Sequence, residues 1–262
     1  FSPFTSRNSF FGLESRYGTL LGGNHDIPLR TLGRKITYFE DTIGDFRSTT
    51  MGVDERLDQI LLYKLPRFDS GLGGQLSYRL DQGDWTDPTA ATADAFSGIL
   101  TFAPGDFLVG VGYQSTASGN FNPEPDEAVS EGVFRAVGQF DNGSFGLSAL
   151  YQGIENYGGA DGLAAMTLGL EAMFMPSPRW RFKGSYYGTD PNTDLDDNSY
   201  AQFALGVDHP MDAVTFYLQY AIMMNDENQR NGLGNNDWGA SVYPSESGKS
   251  ASGLSLGFWW DF

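Results

Sequence analysis

The chain has 262 residues, no cysteine, 15% aromatic residues and a formal net charge of −17. Without cysteine there is no disulfide scaffold and no thiolate metal site, and a surface this acidic repels phosphate, which argues against nucleic-acid partners. No run reaches the roughly 18 apolar residues of a membrane helix; the longest apolar stretch, Leu163 to Met175, is shorter and carries Glu171.

The chain starts at Phe1 without Met and shows no signal peptide, as expected of a processed or incomplete product. Segments of period-two alternation begin near residues 7, 17, 54, 71, 94, 105, 131, 143, 163, 179, 199, 211 and 250. They read as about thirteen strands of roughly ten residues each. In the segment after Met211, Val214, Phe216, Leu218, Tyr220 and Ile222 share one face, while Thr215, Tyr217 and Gln219 share the other. The segment near 163 is rich in Ala, Met and Leu, which also suit a helix.

The connections carry more information than the strands. The tight turn around Arg16 is followed by a long, doubly charged stretch from His25 to Gly52. Thereafter short links at 66–70, 103–105, 141–143, 176–178 and 208–210 alternate with long acidic ones. Short and long connections on alternate ends predict an all-β, up-and-down antiparallel barrel crossing a membrane. Ten residues tilted by about 40° span roughly 25 Å, the height of a barrel's apolar band. The competing reading is a soluble β-sandwich, which gives no reason to gather short turns at one end. One domain over 1–262 is expected, with His25–Gly52 as a long loop that is either functional or disordered.

The chain ends with Leu254, Leu256, Phe258, Trp260 and Phe262 on one stripe, comfortable against lipid and hazardous in water. Ser255, Gly257, Trp260 and Phe262 resemble the assembly signal of outer-membrane barrels. The N-terminal segment SRNSFFGLESRYGTLLGG resembles the first visible hairpin of Gram-negative general porins, and ERLDQILLYKLPRFDSGLGG resembles the next. As motif the resemblance covers about the first eighty residues and the last ten, and as pattern the whole chain. It implies a trimeric, sixteen-stranded, water-filled channel of the Gram-negative outer membrane for passive diffusion of ions and small hydrophilic solutes. It further implies a homotrimer in outer-membrane lipid and lipopolysaccharide, inserted by the barrel-assembly machinery, with no cofactor. The family's inward-folded third loop corresponds to His25–Gly52, so about three strands are expected to precede Phe1.

By the same resemblance, acids of that loop face bases of the barrel wall across a constriction. The loop acids are Glu40, Asp41 and Asp45, accompanied by Arg34 and Lys35; the wall bases are Arg7 and Arg56. Asp58 shares the parity of Arg56, and Arg181 and Lys183, together with Arg179, are further lumen candidates. Opposed charges across a narrow pore order water and favour polar solutes. One departure is Asn24, where many relatives carry a base. The acids of the long loops predict a mild preference for cations.

Asp190, Asn192, Asp194 and Asp196 have the alternate-residue spacing of a Ca²⁺ loop, without the glycine and distal glutamate of an EF-hand. An enzyme is not expected: His25 and His209, the latter placed in a short turn, lack a nucleophile or metal-ligand context. The remaining rivals are an adhesin or structural barrel with a plugged lumen, and a substrate-specific channel. The latter needs a file of lumen aromatics, for which only Tyr217 and Trp259 have the parity.

Overall fold

A computed structural model describes residues 8–54, 56–66, 68–79, 95–116, 129–234 and 242–260. Its strands are β1 (Ser9–Ser15), β2 (Gly18–Asp26), β3 (Arg56–Lys64), β4 (Leu72–Arg79), β5 (Ala95–Phe102), β6 (Phe107–Thr116) and β7 (Glu131–Asp141). They continue with β8 (Phe145–Glu155), β9 (Ala165–Ser177), β10 (Trp180–Asp190), β11 (Tyr200–Met211), β12 (Val214–Asn225) and β13 (Ala251–Trp260). The sheet order is the sequence order, so every described hairpin joins antiparallel neighbours with no crossover. No helix among the described residues is long and apolar enough to cross a membrane.

Each predicted strand has its counterpart, including the segment near 163, which forms β9. Alternation rather than helix propensity decides there, because successive side chains must face different surroundings. One boundary is corrected. Asp208, His209 and Pro210 do not form a turn but continue β11 to Met211; the reversal occurs at Asp212, whose φ is +54°. His209 therefore lies on the outer face, its ring 4.3 Å from that of Trp180.

The residues fall into two compact units. One comprises 1–35, 53–137 and 152–165; the other comprises 36–52, 138–151 and 166–262. In each, the sheet has two chemically distinct faces. The outer face in the first unit carries Phe107, Val109, Val111 and Tyr113, all exposed. In the second, Leu254, Leu256, Phe258 and Trp260 are between 62% and 78% exposed, far more apolar surface than water tolerates. The inner face carries Ser97, Thr101, Gln114 and Arg135 in the first unit, and Thr167, Glu171, Lys183, Ser185, Gln202, Asp208 and Gln219 in the second. The long loop meets several of them: Leu29 bonds Ser97 and Arg135 in the first unit, and Glu171, Lys183, Gln202 and Thr167 bond loop groups in the second.

Candidate functional site: the folded loop and its seats

The stretch between β2 and β3 is folded. It forms helix α1 (Pro28–Arg34) and a 3-10 turn at Phe46–Ser48. Proline at the start of α1 costs no hydrogen bond, since the first N–H groups of a helix have no internal partner. Asp45 caps the 3-10 turn by accepting from the Arg47 N–H at 2.9 Å.

In the first unit, α1 lies on β5 and β6. Leu29 and Leu32 are fully buried. They fit because β6 offers glycine: a Cβ on Gly110 would come within 2.6 Å of Leu32, and one on Gly112 within 2.8 Å of Leu29. The Leu29 N–H donates to the Ser97 hydroxyl of β5 at 3.2 Å. At the loop's return, Asp54 receives a fork from Arg135 of β7, with contacts of 2.6 and 2.8 Å. Arg135 is fully buried; it also donates to the Leu29 carbonyl at 3.1 Å and to the Gln152 amide oxygen. Such a pair is stabilising only when every donor is satisfied, and here the guanidinium binds loop and wall together.

At the loop's start three arginines converge on Asp26. Arg34 lies at 2.8 Å, Arg56 at 2.9 Å and Arg30 at 3.4 Å. Arg30 also donates to the Asp54 carbonyl at 2.8 Å. Three guanidinium groups are thus gathered at one carboxylate, and the exposed Lys35 follows α1 directly. A bulge at Gln59, φ +55°, separates Arg56 from the rest of β3. Asp58 pairs with Arg79 at 2.8 Å in an exposed contact.

In the second unit, the loop's second half is seated by a different set. Glu171 of β9, almost wholly buried, accepts from the Thr37 hydroxyl at 2.8 Å, the Tyr38 N–H at 2.5 Å and the Tyr187 hydroxyl at 2.6 Å. The Thr49 carbonyl accepts from the hydroxyls of Thr189 at 2.7 Å and Thr167 at 3.2 Å. Lys183 donates to the Tyr38 carbonyl at 2.9 Å, pairs with Asp208 at 3.0 Å and lies 4.9 Å from the Phe39 ring centre. Arg181 reaches the same Asp208 at 3.8 Å. Burial and the Asp141 carboxylate push the Tyr38 phenol above its ordinary range, so it stays a donor to Asp141 at 3.1 Å.

The three loop acids are thus not equivalent. Asp45 is fully buried, bound by Arg47 and by the Asp41 N–H at 2.7 Å, and presents no charge at the loop surface. Burial opposes the charge on Arg47, but hydrogen bonds and charge from Asp45, with Asp41 beside it, hold its pKa above the usual value. Asp41 keeps its side chain 39% exposed while paired with Arg47, and Glu40 is half-buried. Of the predicted set, Arg34 and Arg56 meet at Asp26, and Arg181 and Lys183 meet at Asp208. Arg7 and Phe262 lie outside the described residues. Arg179 sits in the turn before β10, its carbonyl accepting from His209 at 2.7 Å.

In the segment with Ca²⁺-loop spacing, two side chains bond the backbone of the segment itself. Asp190 accepts from the Asn192 N–H at 3.1 Å and Asn192 from the Asp194 N–H at 3.1 Å, side chains turned on their own backbone. Among the described residues no group of three or more His, Asp or Glu is placed to hold a metal ion. Tyr217 and Trp259 stack at 5.1 Å on the inner face, which Gly257 permits: a Cβ there would lie 2.4 Å from the Tyr217 hydroxyl.

Sequence reasoning missed Asp26, Asp54, Arg135, Asp208 and the seating role of Glu171. A faint signal existed for two of them. Arg135 shares the parity of Val133 and Val137, and Glu171 interrupts an apolar run; both place a charge where the pattern buries it.

Comparison with known proteins agrees with this arrangement. Residues 2–228 match the family model described as Gram-negative porin. An anion-selective porin from Comamonas acidovorans has a similar structure, with TM-score 0.75 and 20% identity, covering 97% of this chain and 77% of that one. OmpT of Vibrio cholerae in a trimer form is similar at TM-score 0.68 and 15% identity, over 97% of this chain and 80% of that one. OmpF of Salmonella typhi, in complex with daunomycin, is similar at TM-score 0.65 and 16% identity, over 97% and 78%. No curated protein matches in sequence.

Proposed function

Because the chain belongs to the Gram-negative porin family, a family of outer-membrane diffusion channels, we propose that its pore is narrowed by the His25–Gly52 loop and that the Asp26 cluster tunes which ions pass. The protein is a β-barrel channel of the outer membrane. The observation that carries the proposal is the convergence of Arg30, Arg34 and Arg56 on one carboxylate at the root of a loop that covers the inner face. The guanidinium groups gathered there act on passing ions locally, while the −17 of the whole chain enriches cations at the mouth. The sum is a mild cation preference that weakens as salt screens the outer acids.

The partners follow from the family: a homotrimer, outer-membrane lipid with lipopolysaccharide around Leu254, Leu256 and Phe258, and the barrel-assembly machinery reading Ser255, Gly257 and Trp260. The solutes are ions and small hydrophilic molecules, admitted by size and charge. Reversal potentials in a planar bilayer under a salt gradient test the assignment. Arg34→Gln and Arg56→Gln are each expected to shift the reversal potential toward stronger cation preference. An unchanged potential in both variants removes the Asp26 cluster from the selectivity of the pore. Absence of conductance steps in the unsubstituted protein favours a plugged barrel instead.

A further inference from the structure

The connection between β12 and β13 also reaches the inner face. Its root is pinned: the Asn225 side chain donates to the carbonyls of Asn231 and Lys249, both at 2.9 Å, and accepts from the Asn231 N–H at 2.8 Å. The Gln229 carbonyl accepts from the Gly248 N–H at 2.9 Å, and the Ser199 N–H donates to Asp226 at 3.0 Å. Leu233 and Val242 exchange a pair of backbone hydrogen bonds of 2.9 Å each, the pattern of an antiparallel bridge. Leu233, held at this bridge, is directed inward with no exposed surface.

Leu233 enters an apolar cluster built from three sources. The pore loop supplies Phe39, with Tyr38 and Ile43 packed against it; the wall supplies Tyr200, Ala204, Ala221, Met223 and Ala251. Gly253 of β13 marks where the two loops meet, since a Cβ there would lie 2.5 Å from the Ile43 Cδ1 and 3.9 Å from the Leu233 Cδ1. Small residues on the wall leave room, and Leu233 and Phe39 fill it. The polar seats of the pore loop hold its backbone at Thr37–Tyr38 and Thr49. Between these seats Phe39 and Ile43 meet the wall through this cluster, while Asp41 is tied within the loop to Arg47 and Asp45.

We propose that Leu233, on the chain that leaves β12, is the latch that keeps the tip of the His25–Gly52 loop against the wall. The inference rests on the channel reading. Leu233 is a positioning residue, acting on solutes only through Phe39 and Ile43. Truncating it leaves a cavity beside Phe39, and a core cavity of that kind raises the population of displaced states by roughly tenfold or more. The displaced tip moves into the water-filled space and interrupts current.

Single-channel recording of Leu233→Ala tests this, with folding checked by the heat-dependent gel mobility of the barrel. The expected result is at least a roughly tenfold rise in the frequency of brief partial closures, at unchanged gel mobility. Leu233→Met, which conserves volume, is expected to restore quiet conduction. Val242→Ala is expected to behave as the unsubstituted protein, because Val242 bonds Leu233 through its backbone, which the substitution keeps, and its side chain is exposed. Quiet conduction in Leu233→Ala would overturn the latch while leaving the channel assignment intact. Equal noise in Leu233→Ala and Val242→Ala would overturn it too, since general loosening of the connection would then be the cause. If Leu233→Ala loses its barrel mobility, Ile43→Ala carries the same expectation from the pore-loop side, and quiet conduction there overturns the proposal. No conductance from the unsubstituted protein would instead refute the channel reading on which the latch depends.

Discussion

At the scale of single residues, burial decides which of the ion pairs matters. Arg135 and Asp54 are both buried, with two short contacts and two further acceptors around the guanidinium. Arg79 and Asp58 make a pair of similar length in solvent. Removing one partner of a buried pair strands the other charge, at about 3–5 kcal/mol, whereas an exposed pair contributes about 0–1 kcal/mol. Asp54→Asn is therefore expected to lower thermal stability in detergent strongly and to free the return of the loop for proteolysis. Asp58→Asn should leave both unchanged. Equal effects of the two substitutions would show that geometry, not burial, sets the strength of these contacts. The parity of Arg135 was readable from Val133 and Val137, but its partner was not. Asp54 lies far away in sequence, and no periodicity links a strand residue to a loop residue brought over it by folding.

At the scale of elements, the His25–Gly52 loop is placed by complementary size as much as by charge. Helix α1 presents Leu29 and Leu32, and β6 answers with Gly110 and Gly112. Glycine in a strand interior weakens the strand, so its presence marks a close approach by another element. Gly112→Val puts a branched side chain where the first added carbon already lies 2.8 Å from Leu29 and 2.9 Å from Ile99. Relief requires α1 to lift from the sheet, at a cost of about 1–3 kcal/mol. The expected outcome is a folded channel with smaller single-channel conductance, since the helix moves toward the open side. Unchanged conductance with full stability would mean that Leu29 can repack in place. The strands themselves were legible because alternation is a local signal. The helix was not, because its seven residues between Ile27 and Lys35 show too little periodicity to separate them from any charged loop. The end of β11 was misplaced for a related reason: Asp-His-Pro has turn composition, yet Pro210 is tolerated in the strand and Asp212 takes the left-handed conformation of the reversal.

At the scale of the whole molecule, the fold rests on a solvent inversion: the apolar face meets lipid and the polar face meets the loop and water. The alternation and the order of turns carried this in the sequence, since both are properties of the chain as a whole. They could not reveal how charge is spent on the inner face. There, among the described residues, candidate bases meet acids: Arg34 and Arg56 at Asp26, and Arg181 and Lys183 at Asp208. The inversion has a sharp consequence in β4, where Leu76 is 48% exposed on the outer face and its neighbour Gln75 points inward. A charge at mid-strand toward lipid costs about 2–4 kcal/mol, whereas one toward the lumen costs little and alters selectivity. Leu76→Arg is expected to unfold at distinctly lower denaturant concentration in lipid vesicles and to assemble in reduced yield. Gln75→Lys should keep its stability and move the reversal potential toward anions. A soluble sandwich demands the opposite ranking, because its inward face would be the dry one. Measured side by side, two substitutions one residue apart thus report which face of the sheet meets hydrocarbon.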